Sequence, residues 1–541
     1  MKANFLKHET GSLFSVITVV IVLAIIGILS QGFFHTRFDL TEDKQFTLGA
    51  AATNTLENLP DLITIKAVIS SDLPSQFVQI RTHVKDLLEE FRARSGGKLE
   101  LIFMDPGDDE EKKKQAVGLG IQEVQLQEQS RQGLEIKKGF FGLAITYGDK
   151  KEVIPVLNNI QTFEYDLIVK IKKLTGSIKK IAVFEGSQGN TFELKVPQQP
   201  PQSGLNQLYP ALKTEMEKLY KVDIINLDRD DVNDDVELVI VLAPKRMTEI
   251  EKFRLDQFLM KGKSILFLTP GIEVDLSQGI NGQMVFNQYE SLLTHYGISV
   301  KKNVILEARN FQLVPFGNSI FPTPYPYWIT VPQGQLHSEN AITAKLGQLT
   351  LPWSSSLIID STLKDDTSRT IEILASSSKE SWEETGRFML FPRDLKEFLP
   401  VNQASQPLAV LETGTFTSFY ASNPVPQDSS FNIAPADVIK KSQSEGRILV
   451  VANALFATNF YMGLMRSGGN VHFLLNAVDQ LALDPDLIKI RSRNLSTRPI
   501  APEKLLKKMP IVLINMILVP ITLLIIGILV GLRRKRRDAM S

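Results

Sequence analysis

Three short constellations in this chain of 541 residues carry residue types that could do chemistry. Gly262-Lys263-Ser264 has the ending of a phosphate-cradling loop, in which backbone amides and a lysine hold phosphate and a hydroxyl holds magnesium. That loop needs a glycine five positions before the second one, where this chain has Gln257. It also follows a strand and opens a helix, whereas here a helical pattern precedes and a strand pattern follows; a helix–turn–strand connection accounts for the residues. Asp231, Asn233 and Asp235 match the opening of a calcium loop, but its glycine position holds Val236 and its closing glutamate position holds Leu242. The spacing predicts a solvated acidic loop. Ser187 lies in Gly186-Ser187-Gln188-Gly189 after a strand-like run, but a nucleophile elbow needs glycine two positions earlier, where Glu185 stands.

The absence of cysteine removes disulfides, thiolate nucleophiles, iron–sulfur clusters and cysteine zinc sites. Of the six histidines, His8, His35, His83, His295, His337 and His472, none is paired at metal spacing. His83 falls on the polar side of its helical pattern, which predicts that it faces water. No metal and no cofactor are expected. A working pair of carboxylates stays open, because sequence does not reveal which of them converge. The run from Phe321 to Trp328 mixes aromatics with proline. It reads as a stiff polyproline-like loop packing its rings on the body, with an exposed stacking surface for a glycan, lipid or protein as the alternative. The 60 basic and 60 acidic side chains cancel, which argues against a nucleic-acid binder driven by overall positive charge.

These residues must be positioned by an α/β body. Residues 62–69 read as a strand. Ile80, Val84, Leu87, Leu88 and Phe91 recur at helical spacing, and Ser95-Gly96-Gly97 stops that helix. A strand follows at 99–105. A helix with acids first (Asp108 to Glu111) and lysines later (Lys112 to Lys114) can end at Gly120, and a hairpin covers 139–147 and 152–157. This β-α-β-α-ββ order predicts a thioredoxin-like unit over residues 35–175, without the cysteines of dithiol chemistry. Strands at 179–184, 222–227, 236–243, 264–269 and 446–452 alternate with helical patterns. Their continuous apolar runs predict a doubly wound parallel sheet in a domain spanning 176–495. A long β-rich insertion, about 275–445, interrupts it, with strands at 328–332, 370–376 and 407–412.

Two uncharged runs frame the body: 13–34 and 510–532. Each is long enough, at about 1.5 Å per residue, to span roughly 30 Å of hydrocarbon, and Pro520 is tolerable there. The first is too long for a signal-peptide core and lacks a small-residue cleavage site, so an uncleaved anchor is expected. Lys2 and Lys7 precede the first span, and Arg533, Arg534, Lys535, Arg536 and Arg537 follow the second. Basic flanks stay inside. Residues 1–12 and the basic tail 533–541 are therefore expected in the cytoplasm, the body outside, and 496–509 as a juxtamembrane linker. The tail is read as a topology determinant, with anionic-lipid contact as the sharper alternative. Two spans are too few for a transport channel in one chain, which pushes any transport onto partners.

Several segments, in order along nearly the whole chain, resemble the GldG-like ABC-transporter auxiliary family associated with gliding motility. They are Arg37-Phe-Asp-Leu-Thr-Glu-Asp-Lys-Gln-Phe-Thr-Leu48, Gly97-Lys-Leu-Glu-Leu-Ile-Phe-Met-Asp-Pro106, Phe163-Glu-Tyr-Asp-Leu167 and Ser381-Trp382 with Glu383-Glu384. Phe473-Leu-Leu-Asn-Ala-Val-Asp-Gln-Leu481, and Ile490-Arg-Ser-Arg493 followed by Arg498-Pro499, complete the series. The resemblance implies a non-catalytic subunit working with an ABC permease and a cytoplasmic ABC ATPase. It also implies a middle unit like the class I glutamine amidotransferase fold without its catalytic cysteine.

The expectation is therefore a membrane-anchored periplasmic accessory protein of an ABC transporter, in a bacterial inner membrane with both termini cytoplasmic. Its partners would be the permease, the ATPase and membrane lipid, with no nucleic acid. Arg37, Asp39, Leu40 and Thr41, which join the first span to the body, are the candidate partner-contact or coupling segment. The alternatives are a degenerate amidotransferase-like envelope hydrolase and a stand-alone scaffold or adhesin.

Overall fold

The computed structural model describes residues 48–482, apart from 131–132, 158–162, 177, 188, 278, 317–321, 363–365, 399, 428–432 and 466–467. Both uncharged runs, and Arg37, Asp39, Leu40 and Thr41, lie outside the described residues. Among the described residues no helix is long and apolar enough to cross a membrane.

The first unit opens with helix α1 (Ala50–Glu57) and strand β1 (Ile63–Ile69), then α2 (Ser75–Arg94) and β2 (Leu99–Met104). On α2 the apolar stripe expected from its spacing is buried at Val84, Leu87, Leu88 and Phe91. The helix ends where Gly96 (φ +61°) and Gly97 (φ +87°) take the left-handed backbone that side chains resist. Helix α3 (Glu110–Gly118) starts at Asp109, whose carboxylate accepts from the amides of Glu111 and Lys112. Strands β3 (Glu123–Ser130), β4 (Gly133–Tyr147) and β5 (Lys150–Ile154) precede helix α4 (Phe163–Leu174). Strand β1 pairs in parallel with β2 and antiparallel with β4. The early part of β4 pairs with β3 and its later part with β5.

The second unit begins with β6 (Lys180–Phe184). Two short helices follow, α5 (Gly204–Leu208) and α6 (Pro210–Glu217), separated at Tyr209 because Pro210 cannot continue a helix but can begin one. Next come β7 (Lys221–Ile224), β8 (Val236–Leu242), α7 (Glu249–Met260) and β9 (Ser264–Leu268). A capping box between Thr248 and Glu251 fixes the start of α7. Later elements used below are β10 (Thr323–Pro332), β11 (Gln348–Pro352), β12 (Arg369–Ser376), β13 (Trp382–Thr385), β14 (Pro407–Gly414), β15 (Gly446–Val451) and α8 (Gly469–Ala482).

The large sheet has the order β12-β14-β15-β9-β8-β6-β7. Its five strands from β15 to β7 are parallel. All five residues of β9 are buried, as a strand covered on both faces requires. One face packs under α5, α6 and α8, the other under α7. The expectation of a purely parallel sheet is corrected at one edge. Strands β14 and β12, from the segment read as an insertion, extend the sheet by two antiparallel pairings, β14 with β15 and β12 with β14. An antiparallel neighbour needs no helical crossover, so a β-rich segment can add strands to this edge directly.

From Thr323 onward the aromatic run is a strand rather than a polyproline-like loop, and Phe321 lies outside the described residues. It forms β10, paired on both sides, and its Tyr325, Tyr327 and Trp328 are buried.

Candidate functional site

In an open α/β sheet, ligands bind in the crevice beyond the carboxyl ends of the parallel strands. Beyond β6 lie Glu185, Gly186 and Ser187. Gly186 is at φ +97°, and a Cβ there would lie 2.6 Å from the Asn190 carbonyl oxygen. Ser187 Oγ donates to Asn226 Oδ1 at 2.7 Å. Glu185 Oε2 accepts from the Leu205 amide at 2.7 Å and so anchors the start of α5. Beyond β8, at the turn toward α7, Ala243 sits at φ +43°. Strained strand-to-helix turns of this kind present the nucleophile in elbow-type hydrolases. Here the position carries a methyl group, buried at 4% exposure.

The crevice beyond β9 and β15 is filled by the chain itself. Ser354, Ser355 and Ser356, each fully buried, follow β11 across the strand ends. The Ser355 amide donates to the Ala452 carbonyl at 3.2 Å. Ser355 Oγ donates to the Asn303 carbonyl at 2.7 Å and accepts from the Gly271 amide at 3.0 Å. Asn303 Oδ1 accepts from the Ser356 amide at 3.0 Å, and Asn453 Nδ2 donates to the Pro352 carbonyl at 2.6 Å. Trp353, which starts this strap, is held at φ +49°, a costly conformation for a bulky residue. Its amide donates to Tyr327 O at 2.8 Å and its Nε1 to Tyr325 Oη at 2.9 Å.

Among the described residues, carboxylates with raised pKa are present but do not gather. Burial pushes up Glu273, Glu307 and Glu412. Glu307 accepts from the amide and hydroxyl of Ser378, at 2.6 and 2.7 Å. Glu412 pairs with Arg369 at 2.9 Å. Glu273 lies among Lys245, Lys195, Glu193 and Asp275. None of the three is an electrostatic neighbour of another.

The segments that carry the family resemblance are built into contacts between elements. On β13, Trp382 is buried. Glu383 pairs with Lys301 at 2.9 Å, and although burial opposes it, the Lys301 and Asn303 hydrogen bonds hold its carboxyl below the ordinary value. Glu384 accepts from Tyr327 Oη at 3.0 Å and from Arg393 Nη2 at 3.0 Å, and the Arg393 guanidinium lies 4.5 Å from the Phe398 ring centroid. On α4, Glu164 accepts from the Gly49 amide at 2.7 Å. Its neighbour Tyr165 donates to Asp479 Oδ2, on α8, at 3.3 Å. Asp479 is fully buried and also accepts from Tyr220 Oη at 2.5 Å. Two segments far apart in sequence, 163–167 and 473–481, thus meet, and the first of them also touches Gly49, where the described residues begin. Helical spacing could flag Tyr165 and Asp479 only as helix residues; their meeting has no signal in one sequence.

The other sequence-flagged residues are dispersed. Gly262 turns the chain at φ +78° between α7 and β9, and Lys263 pairs with Glu237 at 3.1 Å. Asp231 pairs with Arg254 at 2.6 Å and Asp234 with Lys261 at 2.7 Å, while Asp235 pairs with Lys180. His83 is half-buried rather than facing water, and burial lowers its pKa against the pull of Asp86.

Residues 179–477 match a family described as an ABC-type uncharacterized transport system, and residues 42–146 match a domain of unknown function. An uncharacterized protein of Borreliella burgdorferi is 25% identical over 512 residues, covering 93% of this chain and 94% of that protein. Among solved structures, the N-terminal domain of mmIFT52 aligns with a TM-score of 0.33 at 13% identity, covering 56% of this chain and 96% of that one. A ThuA-like protein from Bacteroides uniformis aligns with a TM-score of 0.28 at 10% identity, covering 57% of this chain and 95% of that one.

Proposed function

The chain belongs to this ABC-type transport-system family, and from that premise we propose that it is a non-catalytic auxiliary subunit of an ABC transporter, of the GldG-like kind. It partners a permease and a cytoplasmic ATPase, which supplies the energy. The uncharged runs 13–34 and 510–532 anchor it in a bacterial inner membrane, and residues 35–509 form the periplasmic part. Arg37, Asp39, Leu40 and Thr41 remain the proposed coupling segment of this part. Its two units take thioredoxin-like and amidotransferase-like folds, and gliding motility or envelope export is the process proposed for it.

The family match across the large unit carries this reading. The crevice supports it, since the elbow-like position beyond β8 holds Ala243 and the ends of β9 and β15 lie under the chain's own serine strap. The runner-up, a degenerate hydrolase, has no nucleophile at that turn to work with. Native affinity purification in mild detergent tests the proposal. An ABC ATPase and a polytopic permease should co-elute in fixed ratio. Their absence under conditions that preserve a control transporter would sink it. In a chain without cysteine, single introduced cysteines read the topology directly. Labelling at position 149, in the exposed turn after β4, by a membrane-impermeant reagent is expected from the periplasmic side only.

A further inference from the structure

Helix α4 touches both ends of the described body through two consecutive residues. Gly49 is the N-cap of α1 and has no side chain to satisfy the free amides of that helix. The amide of Gly49 itself donates to Glu164 Oε1, 115 positions away, at 2.7 Å, and Glu164 is only 4% exposed. A carboxylate there also meets the positive end of the α1 dipole. Adjacent residues on a helix point in different directions, so Tyr165 reaches another element. Its hydroxyl donates to Asp479, on the helix that ends at Ala482, the last residue described. Asp479 is fixed on its other oxygen by Tyr220, which leads into β7. The apolar side chains of α4 and α1, Phe163 and Leu167 with Ala52 and Leu56, share one core cluster.

We propose that α4 is a clamp that ties the start of the body to the helix by which the chain leaves it, so that a displacement of either end is carried to the other. Buried, fully partnered polar contacts suit this role, because they are directional and costly to break, whereas apolar contacts slide. The role of the clamp rests on the auxiliary-subunit reading: a transporter that moves the two anchoring runs would move the body as one piece.

The test is hydrogen–deuterium exchange of the full chain in detergent, read at peptides covering α1 and α8, in wild type and in Glu164→Gln, Asp479→Asn and Tyr165→Phe. Each perturbation should raise exchange at the remote helix as well as the near one. Asp479→Asn should act at α1 and Glu164→Gln at α8, by about tenfold, the equivalent of one charge-assisted hydrogen bond. Purely local effects, with Glu164→Gln confined to α1 and Asp479→Asn confined to α8, would overturn the clamp. If Asp479→Asn does not fold, Tyr165→Phe, which removes a single oxygen, still answers at α8 and α1. Co-purification separates the two readings. Coupled helices without transporter partners would sink the auxiliary reading alone. Partners with uncoupled helices would sink the clamp alone.

Discussion

Glu412→Gln offers a quantitative test of how the antiparallel edge of the large sheet is built. Glu412 lies on β14, fully buried, in register with Ile371 of β12 and Ile448 of β15. Arg369 Nη1 reaches Oε1 at 2.9 Å, but Oε2 has no partner, and Asp366 shares Arg369 at 2.9 Å. Burial pushes the carboxyl from 4.5 up to about 7, with Arg369 pulling it down and Asp366 pushing it up. The rise of roughly 2.5 in pKa corresponds to about 3 kcal/mol. Because the native pKa is the higher one, the folded state holds the proton more tightly. This stabilisation is fully present below about pH 4.5 and is lost as pH rises through about 7. Glutamine is neutral throughout and lacks that slope. The stability gap between Glu412→Gln and wild type should therefore move in favour of glutamine by about 3 kcal/mol between pH 4.5 and pH 8. Urea unfolding of the purified full-length protein at both pH values, at constant ionic strength, measures it. An unchanged gap would mean that Glu412 stays ionised against Arg369 in the folded protein, and would refute the reasoning.

Three further outcomes are expected. Gly271→Ala places a Cβ 2.0 Å from the Lys301 carbonyl oxygen and 2.5 Å from Ser355 Oγ. It should cost about 3 kcal/mol or more in unfolding and open the serine strap to protease, whereas a normal midpoint and cleavage pattern would show the strap is not packed as described. Arg393→Lys keeps the charge but loses the planar group over Phe398 and the Nη2 that bonds both Glu384 and Tyr327. A loss of about 1–2 kcal/mol in thermal unfolding is expected, and no change would count against the stacked geometry. His83, its pKa lowered by burial, resists protonation in the folded state, so its contribution to stability is lost as pH falls below the ordinary 6.5. His83→Gln should flatten that acid limb, and an unaltered limb would argue that the imidazole is solvated.

The strap and the clamp share a physical theme. Both place small polar groups where the fold would otherwise leave a gap: serines over the strand ends, and carboxylates between helices. Every buried backbone donor or acceptor needs a partner, and here those partners come from distant parts of the chain. Asn303, Asn453 and Asn470 do the same, each bonding backbone atoms of another segment. Such residues are costly to lose and carry no periodic pattern.

Features that repeat locally were readable from the chain alone. The apolar runs of β6, β8, β9 and β15, the stripe on α2, the acidic start of α3 and the glycines that end helices all follow from period, capping and backbone freedom within a few residues. The failure of the phosphate-loop and calcium-loop patterns was legible for the same reason, since each is a spacing rule. Tertiary structure alone decided what depends on distant segments meeting. It set β12 and β14 antiparallel on the edge of the large sheet, turned the proline-rich aromatic run into a buried strand, and half-buried His83. It held Ala243 in a strained turn after β8. It also brought Glu164 to Gly49 and Tyr165 to Asp479, because hydrogen bonds across hundreds of residues are fixed by packing and leave no periodicity in the chain.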